Sequence, residues 1–158
     1  MLSSGVFRWG FAIRYLTYPF IHLSFMQTLI ATVMFLALGK MVCEIYNGFL
    51  FFALIFASSV SGAFFYGLIL NDQFPLIGLF PAIYGLIGAY TYILWASLRS
   101  VGAKSANAFI LVALLLGIQI LFKFLFNGAN DWIADLFGFF TGFLFAFLTN
   151  LYLLKHSN

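Results

Sequence analysis

The chain has 158 residues, of which 65% are hydrophobic, 22% aromatic and 7% charged. Seven Lys and Arg with four Asp and Glu, a net charge of +3, cannot clothe a water-facing globule, so a soluble domain is excluded. The basic residues stand singly at the ends of apolar runs, where they serve as loop anchors, and this excludes nucleic acid as a partner.

The charges cut the sequence into uncharged runs of 25 residues before Lys40, 27 before Asp72, 26 before Arg99, 18 before Lys123 and 19 before Lys155. Each holds a helix of roughly 20 residues, the length that crosses hydrocarbon. The fold class expected is an all-α integral membrane protein, a polytopic bundle of five transmembrane helices forming one domain over residues 1–158.

Residues 1–19 contain Arg8 and Arg14 beside Trp9, Tyr15 and Tyr18, with neither a cleavable signal pattern nor a run long enough to span. They read as an interfacial segment. Span one, about 20–38 and closed by Gly39, carries His22, Ser24, Gln27, Thr28 and Thr32, which should face other helices. Cys43 at its foot is the lone cysteine and forms neither an internal disulfide nor a thiol metal site. Span two, about 48–70, has Ser58 and Gly62 four apart, a small-residue stripe for close packing.

Span three, about 76–98, has Pro75 just before it and Pro81 within it. Proline suits the first turn of a helix and breaks its interior, so the regular helix should begin near Phe80 or Pro81, with residues 75–79 irregular. Span four, about 108–125, is a plain apolar helix ending at Lys123, and its Gln119 is read as a packed hydrogen-bond donor. Span five, about 131–154, opens on Asn130 and Asp131 as N-caps. Asp135 follows one turn in, and Gly138, Gly142 and Ala146 recur every fourth residue as a small-residue face. Five spans place the termini on opposite sides. Lys40, Arg99, Lys104 and Lys155 then share the side of the C-terminus, against Arg8, Arg14 and Lys123, which makes the C-terminus cytoplasmic.

Three blocks together suggest a family. GLFPAIYGLIGA, residues 78–89, resembles the rhomboid intramembrane serine protease signature G-x-S-G-A-x-x-G-L-x-G-A at Gly78, Ala82, Gly85, Leu86, Gly88 and Ala89. Residues 14–39 look like the rhomboid W-R-x-x-T loop and the helix after it, with Arg14, Thr17, Phe20, His22 and Gly39 in register. ADLFGFFTG, residues 134–142, is similar to A-H-x-G-G-x-x-x-G and keeps Ala134, Gly138 and Gly142. The resemblance implies a rhomboid-like core, here lacking the first of the family's six helices. It also implies helix packing through Gly78, Ala82, Gly85, Gly88, Gly138 and Gly142.

By the same resemblance, the nucleophilic serine position is Phe80, the histidine base position is Asp135, and the oxyanion-stabilising H-x-x-x-N corresponds to Gln27 and Ala31. All four are changed, and Pro81, after the lost serine, has no backbone N–H to offer an oxyanion. No catalytic residue is assigned. No cofactor is implied, and His22, Asp131 and Asp135 are too few and too dispersed for a metal. The function expected is that of a catalytically inactive rhomboid-like protein binding transmembrane segments of other proteins in quality control, assembly or regulation, with Phe80, Pro81, Asp135 and His22 as client contacts. Alternatives are a resident accessory subunit of a larger membrane complex, suggested by the 23 phenylalanines, and an active serine-type endopeptidase with non-standard residues. A channel or transporter ranks last, since neither paired half-helices nor a chain of intramembrane charges is visible. The partners expected are the lipid bilayer and other transmembrane helices. The location expected is a bacterial inner membrane, with an organellar membrane as the alternative.

Overall fold

The computed structural model describes residues 25–69, 79–110, 112–114, 116–117, 121 and 132–156, with the side chains of residues 26, 27 and 152–156 outside the description. The expected interfacial segment 1–19, His22, Gly78, the N-caps Asn130 and Asp131, and most of span four lie outside the described residues. Four α-helices are described: α1 (Phe25–Cys43), α2 (Gly48–Ile69), α3 (Phe80–Ser100) and α4 (Trp132–His156). A 3-10 turn, Ser105–Phe109, follows α3. Among the described residues there is no strand.

Stretches Gly48–Ile69, Phe80–Ser100 and Trp132–Leu151 are each long and apolar enough to cross a bilayer. The molecule is therefore an all-α bundle of membrane helices, as composition required.

Helix α1 runs past Gly39, where the sequence suggests a stop, and ends at Cys43. The reason is packing. A Cβ on Gly39 would sit 3.3 Å from Cζ of Phe51, so this glycine makes room for a ring on α2. The helix closes instead where Glu44 N donates to Lys40 O at 3.1 Å and Tyr46 N to Val42 O at 3.0 Å. Asn47 then caps α2, its Oδ1 accepting from Leu50 N at 2.9 Å. Burial lifts the Tyr46 phenol to about 12, with nearby Tyr92 adding to the effect, so this side chain of the turn stays neutral at physiological pH.

Contacts fix the helix directions. Gly39 and Phe35 meet Phe51 across the short turn that joins Cys43 to Gly48, so α1 and α2 are antiparallel. Gly62 meets Pro81 while Ser58 meets Gly85, so α2 and α3 are antiparallel. Gly138 lies on Pro81, Gly142 on Gly85, and Phe147 against Tyr92, so α3 and α4 are parallel. One end of the bundle therefore collects the C-terminal ends of α1, α3 and α4 and the start of α2.

Helix α3 is the centre. Every residue from Pro81 to Ala89 is buried, followed by Thr91 and Tyr92. Toward the end that holds Tyr92, the core gathers Val42, Tyr46, Leu54, Leu86, Ala89 and Ala146 around it. Toward the start of α3, a second cluster joins Ala31, Ile83, Tyr84, Ile87, Val112 and Phe139. Outward-facing large apolar side chains, among them Phe49, Phe52 and Phe56 on α2 and Leu29, Val33 and Leu36 on α1, form the surface that hydrocarbon covers.

Candidate functional site

The region singled out by the sequence lies where α3 begins. Leu79 takes the N-cap position without a side-chain cap hydrogen bond, Phe80 is the first helical residue and Pro81 follows it. Proline is tolerated there because the first-turn N–H groups have no intrahelical acceptor. Ile83 N donates to Leu79 O at 3.1 Å and starts the helical ladder.

Phe80 is half-buried, and with Leu79 it packs on the cluster containing Ala31, Ile83, Tyr84, Ile87, Val112 and Phe139. Its ring thus faces the bundle, on the same cluster as Ala31. Pro81 is buried beneath it. A Cβ on Gly138 would fall on the Pro81 carbonyl, and one on Gly62 would lie 2.8 Å from both the Pro81 ring and the Ala134 carbonyl oxygen. Three helices therefore converge on Pro81 with main-chain atoms in contact, which only residues lacking side-chain bulk permit.

Asp135 is 1% exposed, one turn into α4, beside Ala134. The carbonyl oxygen of Ala134, its neighbour in sequence, lies against Gly62, where Pro81 also packs. An acidic group in the first turn of a helix is favoured by the unpaired N–H groups there, which offsets part of the cost of burial. Tyr84 is one turn along α3 from Phe80, so Phe80, Ala31, Tyr84 and Asp135 belong to one neighbourhood. Gln27 lies in the first turn of α1, with its side chain outside the description, as are His22 and Gly78 altogether.

The packing glycines are joined to this neighbourhood by one seam. Gly85 receives Ser58, a Cβ on Gly88 would strike the Phe139 carbonyl, and one on Gly142 would strike that of Gly85. Ala82 is buried in the same stretch. Further along, α2 and α4 are tied by Ser61 Oγ and Thr141 Oγ1 at 2.5 Å and by the stacked rings of Phe65 and Phe137, whose centroids are 4.2 Å apart.

Two contributors escaped sequence reasoning. Tyr84 carries a usable signal, since it is four residues after Phe80 and so on the same helical face. Ser58 was visible as a small residue, but its seat against Gly85 was not; its hydroxyl is fully buried and makes no hydrogen bond to any described residue.

Chemically, the neighbourhood offers a phenyl ring where α3 starts, a proline nitrogen without hydrogen, a buried carboxyl and a phenol. Acyl transfer needs a nucleophile within hydrogen-bond reach of a base and donors aimed at the developing oxyanion. Neither Phe80 nor Ala31 supplies any of these. Among the described residues, no three His, Cys, Asp or Glu side chains gather as a metal site would require.

A family model described as Rhomboid domain matches residues 10–151. No curated protein and no solved structure matches the chain.

Proposed function

Because the chain belongs to the rhomboid family, we propose that it is a catalytically inactive member whose single domain uses the rhomboid frame to bind transmembrane segments of other proteins. The observation that carries this reading is the start of α3. The family presents its serine at the position held here by Phe80, whose ring packs toward Ala31 and Tyr84, with Pro81 next to it. The site of the general base is Asp135, a buried carboxyl. The frame is retained through Gly85, Gly88, Gly138 and Gly142 while the reactive groups are replaced.

Phe80 is the contact assigned to the client, with His22 as a further one, while Pro81 and Asp135, which the sequence also offered as contacts, are buried between helices and support that surface from beneath. A half-buried phenyl ring gives a client helix apolar area against which to pack. Small size and family membership favour a bacterial inner membrane, and Lys40, Arg99, Lys104 and Lys155, against Arg8, Arg14 and Lys123 on the other side, favour a cytoplasmic C-terminus.

Photocrosslinking amino acids at Leu79 and Leu136, neighbours of Phe80 and Asp135, test the reading in living membranes. Discrete protein adducts are expected, and a uniform lipid-only background would refute client binding. One constant stoichiometric partner would replace the roaming binder with a resident subunit. A reporter transmembrane substrate should remain uncleaved. Cleavage that disappears on Asp135→Ala, or on Ser58→Ala, Ser59→Ala or Ser61→Ala, would establish an active endopeptidase instead.

A further inference from the structure

Among the described residues, the exposed cations gather at the end of the bundle where α1, α3 and α4 finish. Lys40 is in the last turn of α1, Arg99 in the last turn of α3, and Lys104 at the cap of the 3-10 turn. All three are exposed. The acid at this end among the described residues is Glu44, and none of the three cations is ion-paired with it. Among the described residues, the buried Asp135 is the acid at the opposite end. Lys155, near the end of α4, belongs by its backbone to the basic end.

Aromatic side chains set the depth of these cations. The Arg99 guanidinium carbon is 5.2 Å from the centroid of the Trp95 ring, a cation–π contact. Trp95 in turn packs on the cluster of Val42, Tyr46 and Tyr92. Tryptophan and tyrosine settle at the boundary between hydrocarbon and headgroups, so the stacked guanidinium is held at the level of the lipid phosphates. Lys40 and Lys104 are exposed at the same end, on flexible stems that can extend toward headgroups.

We propose that this end of the bundle is a docking face for anionic phospholipid headgroups, with Arg99, Lys104 and Lys40 engaging the phosphates. Three exposed cations at one end of the bundle, one of them oriented by an aromatic ring, complement the charge of a leaflet rich in phosphates. A soluble partner would have to reach the same cations through the headgroup layer. The proposal stands apart from the function of the α3 start, because it uses none of the residues there.

The test places the full-length protein in vesicles of phosphatidylcholine with a minority of phosphatidylglycerol, either lipid carrying a dansyl group, and measures energy transfer from tryptophan. Phosphatidylglycerol should be enriched at the protein boundary by about fivefold, the effect of roughly one well-placed cation. The enrichment should collapse in high salt and in the triple variant Lys40→Gln, Arg99→Gln, Lys104→Gln, and should persist in Arg99→Lys. Equal transfer from both lipids in the unaltered protein overturns the proposal, as does enrichment that survives the triple variant. Should that variant fail to fold, salt decides: enrichment insensitive to salt overturns the proposal. Inorganic phosphate that abolishes enrichment, where chloride of equal ionic strength does not, would assign the face to a soluble anion and likewise overturn it.

Discussion

The two halves of α3 solve the same packing problem in opposite ways. From Pro81 to Gly88 the helix meets α4 through Gly138 and Gly142, with carbonyl groups lying on glycine Cα atoms and Ser58 filling the third side. From Tyr92 onward it meets the same helix through rings, Tyr92 being edge-on to Phe143 at 5.3 Å and to Phe147 at 5.9 Å between centroids. In a bilayer the lipid tails are as apolar as the side chains, so helices gain little from burying apolar area alone. The glycine half gains from close van der Waals approach of main chains, whereas the aromatic half gains from ring contacts and a polar tip, Asn150 Nδ2 donating to the Tyr92 hydroxyl at 3.0 Å. A single added methyl group should therefore be intolerable in one half and absorbed in the other.

The sharpest test of that contrast is Gly142→Ala. Its methyl would coincide with the Gly85 carbonyl, a main-chain atom that cannot rotate away. Destabilisation of about 1–3 kcal/mol is expected from overpacking, read as thermal unfolding in mild detergent. An unchanged midpoint would mean that the glycine seam is dispensable.

Gly102→Ala, just past the aromatic half, isolates a different cause. That residue has φ of 70°, and nothing lies within 4 Å of an added Cβ, so the penalty is conformational alone. It should amount to about 1 kcal/mol, the lower part of the cost of a left-handed backbone for a residue with a Cβ. A larger loss would mean that the turn into the 3-10 segment packs more tightly than its open surroundings imply.

Smaller effects compare single hydrogen bonds. Ser61→Ala removes the hydroxyl pair with Thr141, and Tyr92→Phe removes the acceptor of Asn150. Each should cost about 0.6 kcal/mol, typical of side-chain hydrogen bonds inside membrane proteins. A markedly greater loss for Ser61→Ala would show that the α2–α4 tie, more than the seam, holds α4 in place. Smallest of all, Arg99→Gln should shift stability in detergent by less than about 0.5 kcal/mol, because Arg99 is exposed and its stacking on Trp95 is peripheral.

Much of this architecture was legible in the sequence because membrane insertion imposes a one-dimensional rule. Apolar run lengths between charges, and Pro81 near the start of a run, identify α2, α3 and α4 without knowledge of their neighbours. Gly39 shows where that rule stops. As a letter it resembles a helix terminator, but its role depends on Phe51, a residue on another helix, and the helix passes through it. The same holds around Phe80. Resemblance to a motif could propose Phe80 and Asp135 as reactive positions, but the seat of Ser58 on Gly85 and the pairing of Ser61 with Thr141 depend on crossing angle and depth. Those quantities are set by how four helices settle on one another, and no periodicity within a single helix encodes them.

The contact between α3 and α4 is made of peptide groups, and this separates scaffold from chemistry. Residue identities at 80 or 135 can drift over evolutionary time without altering the spacing of the two rods, since neither side chain carries that spacing. Mutational sensitivity to added bulk along α4 should accordingly peak on a four-residue beat at Gly138, Gly142 and Ala146.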